Sequence, residues 1–190
     1  MANDTSYMIQ LTANKLFSER GFADVTIDDI CAGVGITKGT FYYHFKSKDD
    51  LLLNFFENAG RFSADGIMAT LAISDGYWEK LWSSIQLAVD WATSSGKELL
   101  RSVLIFDLQR GMFSFYDQQG IVNLHTLLIK KGQEVGRFRN PNTPKELYDN
   151  TKTIFIGTLF KWCSSDVPDY DREYFKKTVA SLLSVSDPTD

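Results

Sequence analysis

The sequence predicts an all-α protein of about nine helices, and three observations carry that expectation. No proline precedes Pro141, so long uninterrupted helices are permitted over most of the chain. Apolar residues recur at helical spacing in one segment after another. Strand periodicity is absent from the sequence pattern; Val103-Leu104-Ile105-Phe106 is ambiguous, and its flanks favour helix.

Ile9, Ala13, Leu16 and Phe17 share one face of a first helix, which Gly21 closes and onto which Phe22 can fold back. Thr26-Ile27-Asp28-Asp29 has the capping-box pattern. It opens a short second helix with the stripe Ile27, Ile30, Cys31 and Val34, ended by Gly35, because glycine accepts the left-handed conformation without penalty. Thr37 caps a third helix over about Lys38 to Phe45, and Ser47-Lys48-Asp49-Asp50 repeats the box at the start of a long fourth helix through Leu52, Phe55, Phe56, Ala59 and Phe62. Trp78, Leu81, Trp82, Ile85, Val89 and Ala92 mark a fifth helix. A sixth runs from Leu99 to about Arg110, and a seventh through Ile121, Leu124, His125, Leu128 and Val135 to Gly136. Thr143-Pro144-Lys145-Glu146 supplies a cap, a proline at the first helical position and a glutamate at the third. The eighth helix therefore runs from there to about Cys163, with Pro168 forbidding continuation, and Tyr174, Phe175, Thr178, Val179, Leu182 and Leu183 form a ninth. The expected organisation is a three-helix head over residues 1–46, joined through the fourth helix to a helical body over residues 47–190.

Composition excludes several classes. The 190 residues are 44% hydrophobic and 23% charged, which fits a globular chain rather than a disordered one. A net charge of −4 argues against whole-protein affinity for nucleic acid but leaves room for a local reading surface. Cys31 and Cys163 cannot build a disulfide framework and belong to no metal-ligating cluster, so both are expected as small buried hydrophobes. No apolar run approaches the roughly 18 residues of a membrane span. Met1-Ala2-Asn3-Asp4 lacks the basic region of a secretory signal, so a cytoplasmic protein with no membrane partner is expected. The two histidines are far apart, and no HExxH, GxSxG or P-loop pattern occurs. No catalytic residue, metal or cofactor is expected, and the chain does not read as an enzyme. Asp28-Asp29 and Asp49-Asp50 resemble carboxylate pairs, but capping explains one member of each.

The two short helices around Val34-Gly35-Ile36 have the form of a helix-turn-helix, whose second helix enters the major groove of DNA. On a helical wheel Phe41 and Phe45 face the core of the head, Gly39, Thr40 and Tyr43 lie opposite, and Tyr42 and His44 flank them. That outward face suits groove entry, with Thr40 able to hydrogen-bond or touch a thymine methyl and the rings able to reach phosphates or bases. The wheel alone is equally consistent with Tyr43 and His44 simply facing water. Residues 1–50 hold five basic and seven acidic side chains, whereas Thr26 to Lys48 carries a net +1. Lys38 and Lys48 fall in first helical turns, where a cation gains nothing from the macrodipole and an arriving anion would be welcome.

The run from Thr26 to Leu52, with Lys38-Gly39-Thr40-Phe41-Tyr42 followed by His44-Phe45 and Lys48, resembles the signature of the tetracycline-repressor (TetR) family of transcriptional regulators. Ala13, Leu16, Phe17, Gly21 and Phe22 extend the likeness upstream, and Gly136-Arg137-Phe138 and Gly157 to Trp162 echo it more weakly. The resemblance implies a homodimeric repressor on palindromic double-stranded operator DNA. It carries DNA contact over to Thr26, Thr37, Lys38, Thr40, Tyr42, Tyr43, His44 and Lys48, with Gly39 allowing close approach. Many members place a basic residue or two before the first helix; Asn3-Asp4 does not, which implies modest non-specific affinity.

In the body, the eighth helix is apolar on two faces. Leu147, Thr151, Ile154, Phe155, Thr158, Leu159 and Trp162 form one stripe, and Ile156, Phe160 and Cys163 form another. With Phe175, Val179 and Leu182 of the ninth helix, the second stripe is expected to build a two-fold, four-helix dimer surface. Phe62, Trp78, Trp82, Phe106, Phe113, Tyr116, His125 and Phe155, together with Trp91 and Phe115, either fill an ordinary core or in part line a cavity for an apolar or aromatic small-molecule effector. The function expected is a ligand-responsive repressor in which effector binding shifts the fourth helix and the spacing of two heads. The alternative is a helical small-molecule-binding dimer with weak or lost DNA recognition.

Overall fold

The computed structural model describes residues 2–52, 76–110 and 119–185. Helix α1 spans Ala2–Arg20, α2 Ile27–Val34 and α3 Lys38–His44; α4 begins at residue 49 and is described to residue 52. Then follow α5 (Tyr77–Ser94), α6 (Lys97–Arg110), α7 (Gln119–Glu134), α8 (Pro144–Cys163) and α9 (Arg172–Leu183). Extended pairing among the described residues is an isolated antiparallel bridge between Phe138 and Val185. The all-α architecture is therefore as the sequence predicts. Of the fourth helix, Phe55, Phe56, Ala59 and Phe62 lie outside the described residues.

Local chemistry sets the helix ends. Thr26 and Thr143 each accept from the backbone N–H three residues on, while Asp29 and Glu146 reach back to the cap, completing two capping boxes. Those hydrogen bonds hold both carboxyls below their ordinary pKa. Gly35 closes α2 at φ 78°, a left-handed conformation that would strain any side chain.

The chain divides into two compact units. The first joins Met1–Arg61 to Trp91–Tyr116, and the second joins Phe62–Asp90 to Asp117–Asp190. That division differs from a cut after residue 46, because α6 packs on α1.

In the first unit Ile9, Ala13 and Phe17 of α1 and Leu99, Leu100 and Val103 of α6 are fully buried. Gly33 of α2 lies so close to α1 that a Cβ there would meet the Thr12 methyl at 2.7 Å. In the second unit α7, α8 and α9 pack in succession, and Phe175 of α9 lies 5.4 Å from the Phe155 ring and 5.9 Å from the Trp82 ring. Asn140 donates to the Leu182 carbonyl at 2.7 Å, tying the loop after α7 to the end of α9.

Candidate nucleic-acid interface

Helix α3 is two turns long and owes its orientation to its neighbours. Phe41 is fully buried and Phe45 nearly so, with their rings 5.9 Å apart, which fixes the inward face. The opposite face is open: Tyr43 is 79% exposed and Tyr42 52% exposed, a difference from Phe41 that decides which side can meet a partner. Tyr43 stacks edge-on with His44 at 5.0 Å, so the two rings form one aromatic ridge. A Cβ on Gly39 would make only an ordinary 3.6 Å contact with Thr37, so no internal crowding requires glycine there.

The threonine hydroxyls and lysine charges expected to reach DNA already have partners within the chain. Thr26 Oγ1 accepts from the Asp29 N–H at 3.1 Å and donates to the Asp29 carboxylate. Thr37 Oγ1 accepts from the Thr40 N–H at 3.2 Å and lies 3.0 Å from Thr40 Oγ1. Lys38 Nζ is 2.9 Å from Asp28 Oδ1, a hydrogen-bonded ion pair that raises the lysine pKa. Arg20 lies 3.7 Å from Asp29 and Lys15 4.0 Å from Glu19.

Lys48 is placed differently from a free phosphate ligand. Its Nζ donates to the Phe22 carbonyl at 2.6 Å and the Val25 carbonyl at 2.8 Å, 4.2 Å from the centroid of the Phe22 ring. Partial burial pulls its pKa below the usual lysine value. The side chain thus staples the α1–α2 turn to the start of α4.

Sequence reasoning missed two partners here. Capping accounts for one member of the Asp28-Asp29 pair, as the sequence predicts, and that member is Asp29; the other, Asp28, pairs with Lys38, for which opposite charges in the first turns of α2 and α3 were the available signal. Gln10 is buried and donates through Nε2 to the Leu51 carbonyl at 2.9 Å, while its Oε1 accepts no hydrogen bond among the described residues. A polar residue beside Ile9 on a core face was its signal.

In the second unit His125 is buried, with Nε2 2.8 Å from Ser84 Oγ and its ring 5.8 Å from Tyr148. Burial lowers its pKa to about 4, so the imidazole is neutral at physiological pH. Two hydroxyls, Ser83 and Ser84, lie between Leu81 and Ile85, so the sequence offered the serine without singling out Ser84. Trp78 is buried and stacks on the half-buried Trp82 at 5.9 Å, and Phe155 is half-buried. Phe106 belongs to the first unit, and Phe62, Phe113, Phe115 and Tyr116 lie outside the described residues.

The expected dimer residues divide. Phe160 is 54% exposed, and Ile156 and Leu182 are half-buried. Cys163, Phe175 and Val179 do not reach the surface, which corrects their placement at an interface. The apolar stripe of α9 faces its own subunit, where Phe175 meets Trp82, Phe155 and Tyr170.

Comparison with known proteins agrees with this geometry. Residues 9–55 match the family model for bacterial regulatory proteins of the tetR family. The chain is 36% identical over 186 residues to IcaR of Staphylococcus epidermidis, the negative transcriptional regulator of the icaADBC biofilm operon, covering 90% of this chain and 92% of that protein. It is 35% identical over 82 residues to the regulator EthR of Mycobacterium tuberculosis, and 47% over 55 residues to the regulator YerO of Bacillus subtilis. Those two matches span 42% and 29% of this chain but only 38% and 19% of the relatives' own lengths. Among solved structures, the tetR regulator TylP of Streptomyces fradiae shares the fold at a TM-score of 0.64, with 18% identity over 100% of this chain and 90% of that one. Reduced NemR of Escherichia coli does so at 0.62, with 15% identity over 98% and 100%. Among the described residues no helix is long and apolar enough to cross a membrane. A helix-turn-helix with an aromatic outer ridge, and a match to IcaR that runs nearly end to end, place this chain in the TetR family of bacterial transcriptional regulators.

Proposed function

We propose that the protein is a cytoplasmic, ligand-responsive repressor that binds a palindromic operator as a homodimer and is released by an apolar or aromatic small molecule. The observation that carries this reading is α3, whose Phe41 and Phe45 anchor it while Tyr42 and Tyr43 stand in solvent. Gly39, Thr40, Tyr43 and the flanking Tyr42 and His44 form the base-facing surface, and Thr26, Thr37, Lys38 and Lys48 border it at helix starts. Phe160 and Ile156, with Tyr174 at 52% exposure, supply the self-complementary patch for a second copy. Effector recognition belongs to the second unit, where Trp78, Trp82, Phe155 and the Ser84–His125 pair offer ring surface and one polar anchor. Coupling between the sites of such a regulator is typically about 1–3 kcal/mol.

Selection of bound fragments from a random duplex pool at moderate salt tests the reading. Enrichment of a palindrome is the expected result, and a pool that stays random would defeat it. The second reading, a helical ligand-binding dimer with weak DNA recognition, draws on the intramolecular partners of Arg20, Lys38 and Lys48. It predicts binding to duplexes that vanishes at moderate salt without sequence preference.

A further inference from the structure

Within the head, the ion pair between Asp28 and Lys38 joins the first turn of α2 to the first turn of α3. The two positions are not equivalent. Asp28 sits where free N–H groups favour an anion, so it is stable there without a partner; Lys38 sits where the same groups disfavour a cation, and Asp28 offsets that cost. Both side chains are more than half exposed, at 68% and 58%, so the pair lies on the open surface beside Gly39 and Thr40. A duplex docking on that face meets the carboxylate as well as the ammonium. An exposed pair of this kind is weak enough for phosphate to compete with it, yet it offsets the cation's attraction in the meantime.

We propose that Asp28 is a specificity-determining residue, which neutralises Lys38 and so removes one phosphate-gripping cation per head from non-specific DNA binding. The inference rests on the reading of the head as a DNA-binding module. Non-specific complexes draw essentially all their affinity from phosphate contacts, so they lose most when a cation is withdrawn. A specific complex gains from base-edge contacts of Thr40 and Tyr43, which the Asp28–Lys38 pair leaves untouched. Arg20 paired with Asp29 and Lys48 turned onto backbone carbonyls work in the same direction, leaving a head whose selectivity comes from its rings and hydroxyls.

The test measures binding of full-length wild type, Asp28→Asn, Lys38→Met and the double variant to two probes across a salt series. The probes are the duplex enriched from the random pool and a scrambled duplex of equal length. Asp28→Asn should tighten the scrambled duplex by about fivefold per engaged head and steepen its log-affinity against log-salt slope by about 0.9 per head. The enriched duplex, in whose complex Lys38 already exchanges Asp28 for a phosphate, should tighten by a smaller factor than the scrambled one, and in the Lys38→Met background Asp28→Asn should be silent. Equal tightening on both probes, weakening on either, or an effect that persists without Lys38 would overturn the proposal. Asp28→Ser, a short side chain compatible with a first helical turn, repeats the test should Asp28→Asn unfold. If no duplex is enriched and none binds at low salt, it is the DNA-binding reading that fails, and this inference goes with it.

Discussion

The ammonium of Lys48 lies 2.6 Å from the main-chain oxygen of Phe22, 26 residues away, and 4.2 Å from the centroid of the same residue's ring. One side chain therefore satisfies two carbonyls of the α1–α2 turn and holds that turn against the start of α4. Lys48→Ala leaves both acceptors without this donor and should cost about 1–3 kcal/mol of unfolding free energy. Operator and random duplexes should both bind more weakly because the head is loosened as a whole. Urea denaturation checks the first effect, and a wild-type midpoint would show the staple to be unimportant.

Tyr43 behaves in the opposite way. At 79% exposure it packs on little, so Tyr43→Ala should change stability by less than about 0.5 kcal/mol. Binding to the enriched duplex should weaken and its base preference relax. Thr40→Ala should cost about 1–3 kcal/mol on the same duplex, concentrated at one base pair. Fluorescence anisotropy on single-base variants measures both, and a uniform loss across all variants would assign these residues to the phosphates instead.

His125 makes stability depend on pH. Its pKa falls from the ordinary 6.5 to about 4 in the folded chain because burial disfavours the charged ring. Between those values the unfolded chain binds more protons, so stability is complete above about pH 6.5 and declines as pH falls toward about 4. The loss attributable to this residue should approach about 3 kcal/mol. Denaturation at pH 7 and pH 4.5 compares wild type with His125→Gln; equal acid sensitivity in the two proteins would exclude the ring as the cause.

Phe160 and Phe175 separate assembly from folding. Phe175→Ala opens a space among Trp82, Phe155 and Tyr170 and should destabilise the subunit by about 3–5 kcal/mol. Phe160→Glu changes an exposed ring and should leave the subunit fold intact while converting the proposed dimer to monomer in sedimentation velocity. A Phe160→Glu protein that sediments as wild type would remove α8 from the dimer surface.

These cases show what the sequence made legible. Caps such as Thr26 and Thr143 are decided within three residues, so spacing alone reveals them. The outward direction of Tyr43 follows from Phe41 and Phe45, which one helical wheel relates. Lys48 reaching Phe22 and Val25, or Ser84 meeting His125 41 residues on, depends on how distant segments meet, which periodicity does not encode. The stripe of α9 was visible as apolar, but Phe175 and Val179 on it could equally have met a twin subunit or their own core. Burial against α5 and α8 decides for the latter.

The first compact unit is assembled from two stretches, Met1–Arg61 and Trp91–Tyr116. During translation the N-terminal helices leave the ribosome well before Leu99, Leu100 and Val103 have been made. Until those residues emerge, α1 lacks the helix that packs on it, and the nascent polypeptide carries apolar surface with nothing yet to shelter it. A gene fragment stopped after α3 would encode the base-facing residues from Gly39 to His44 and still omit Lys48 and part of the scaffold on which they stand.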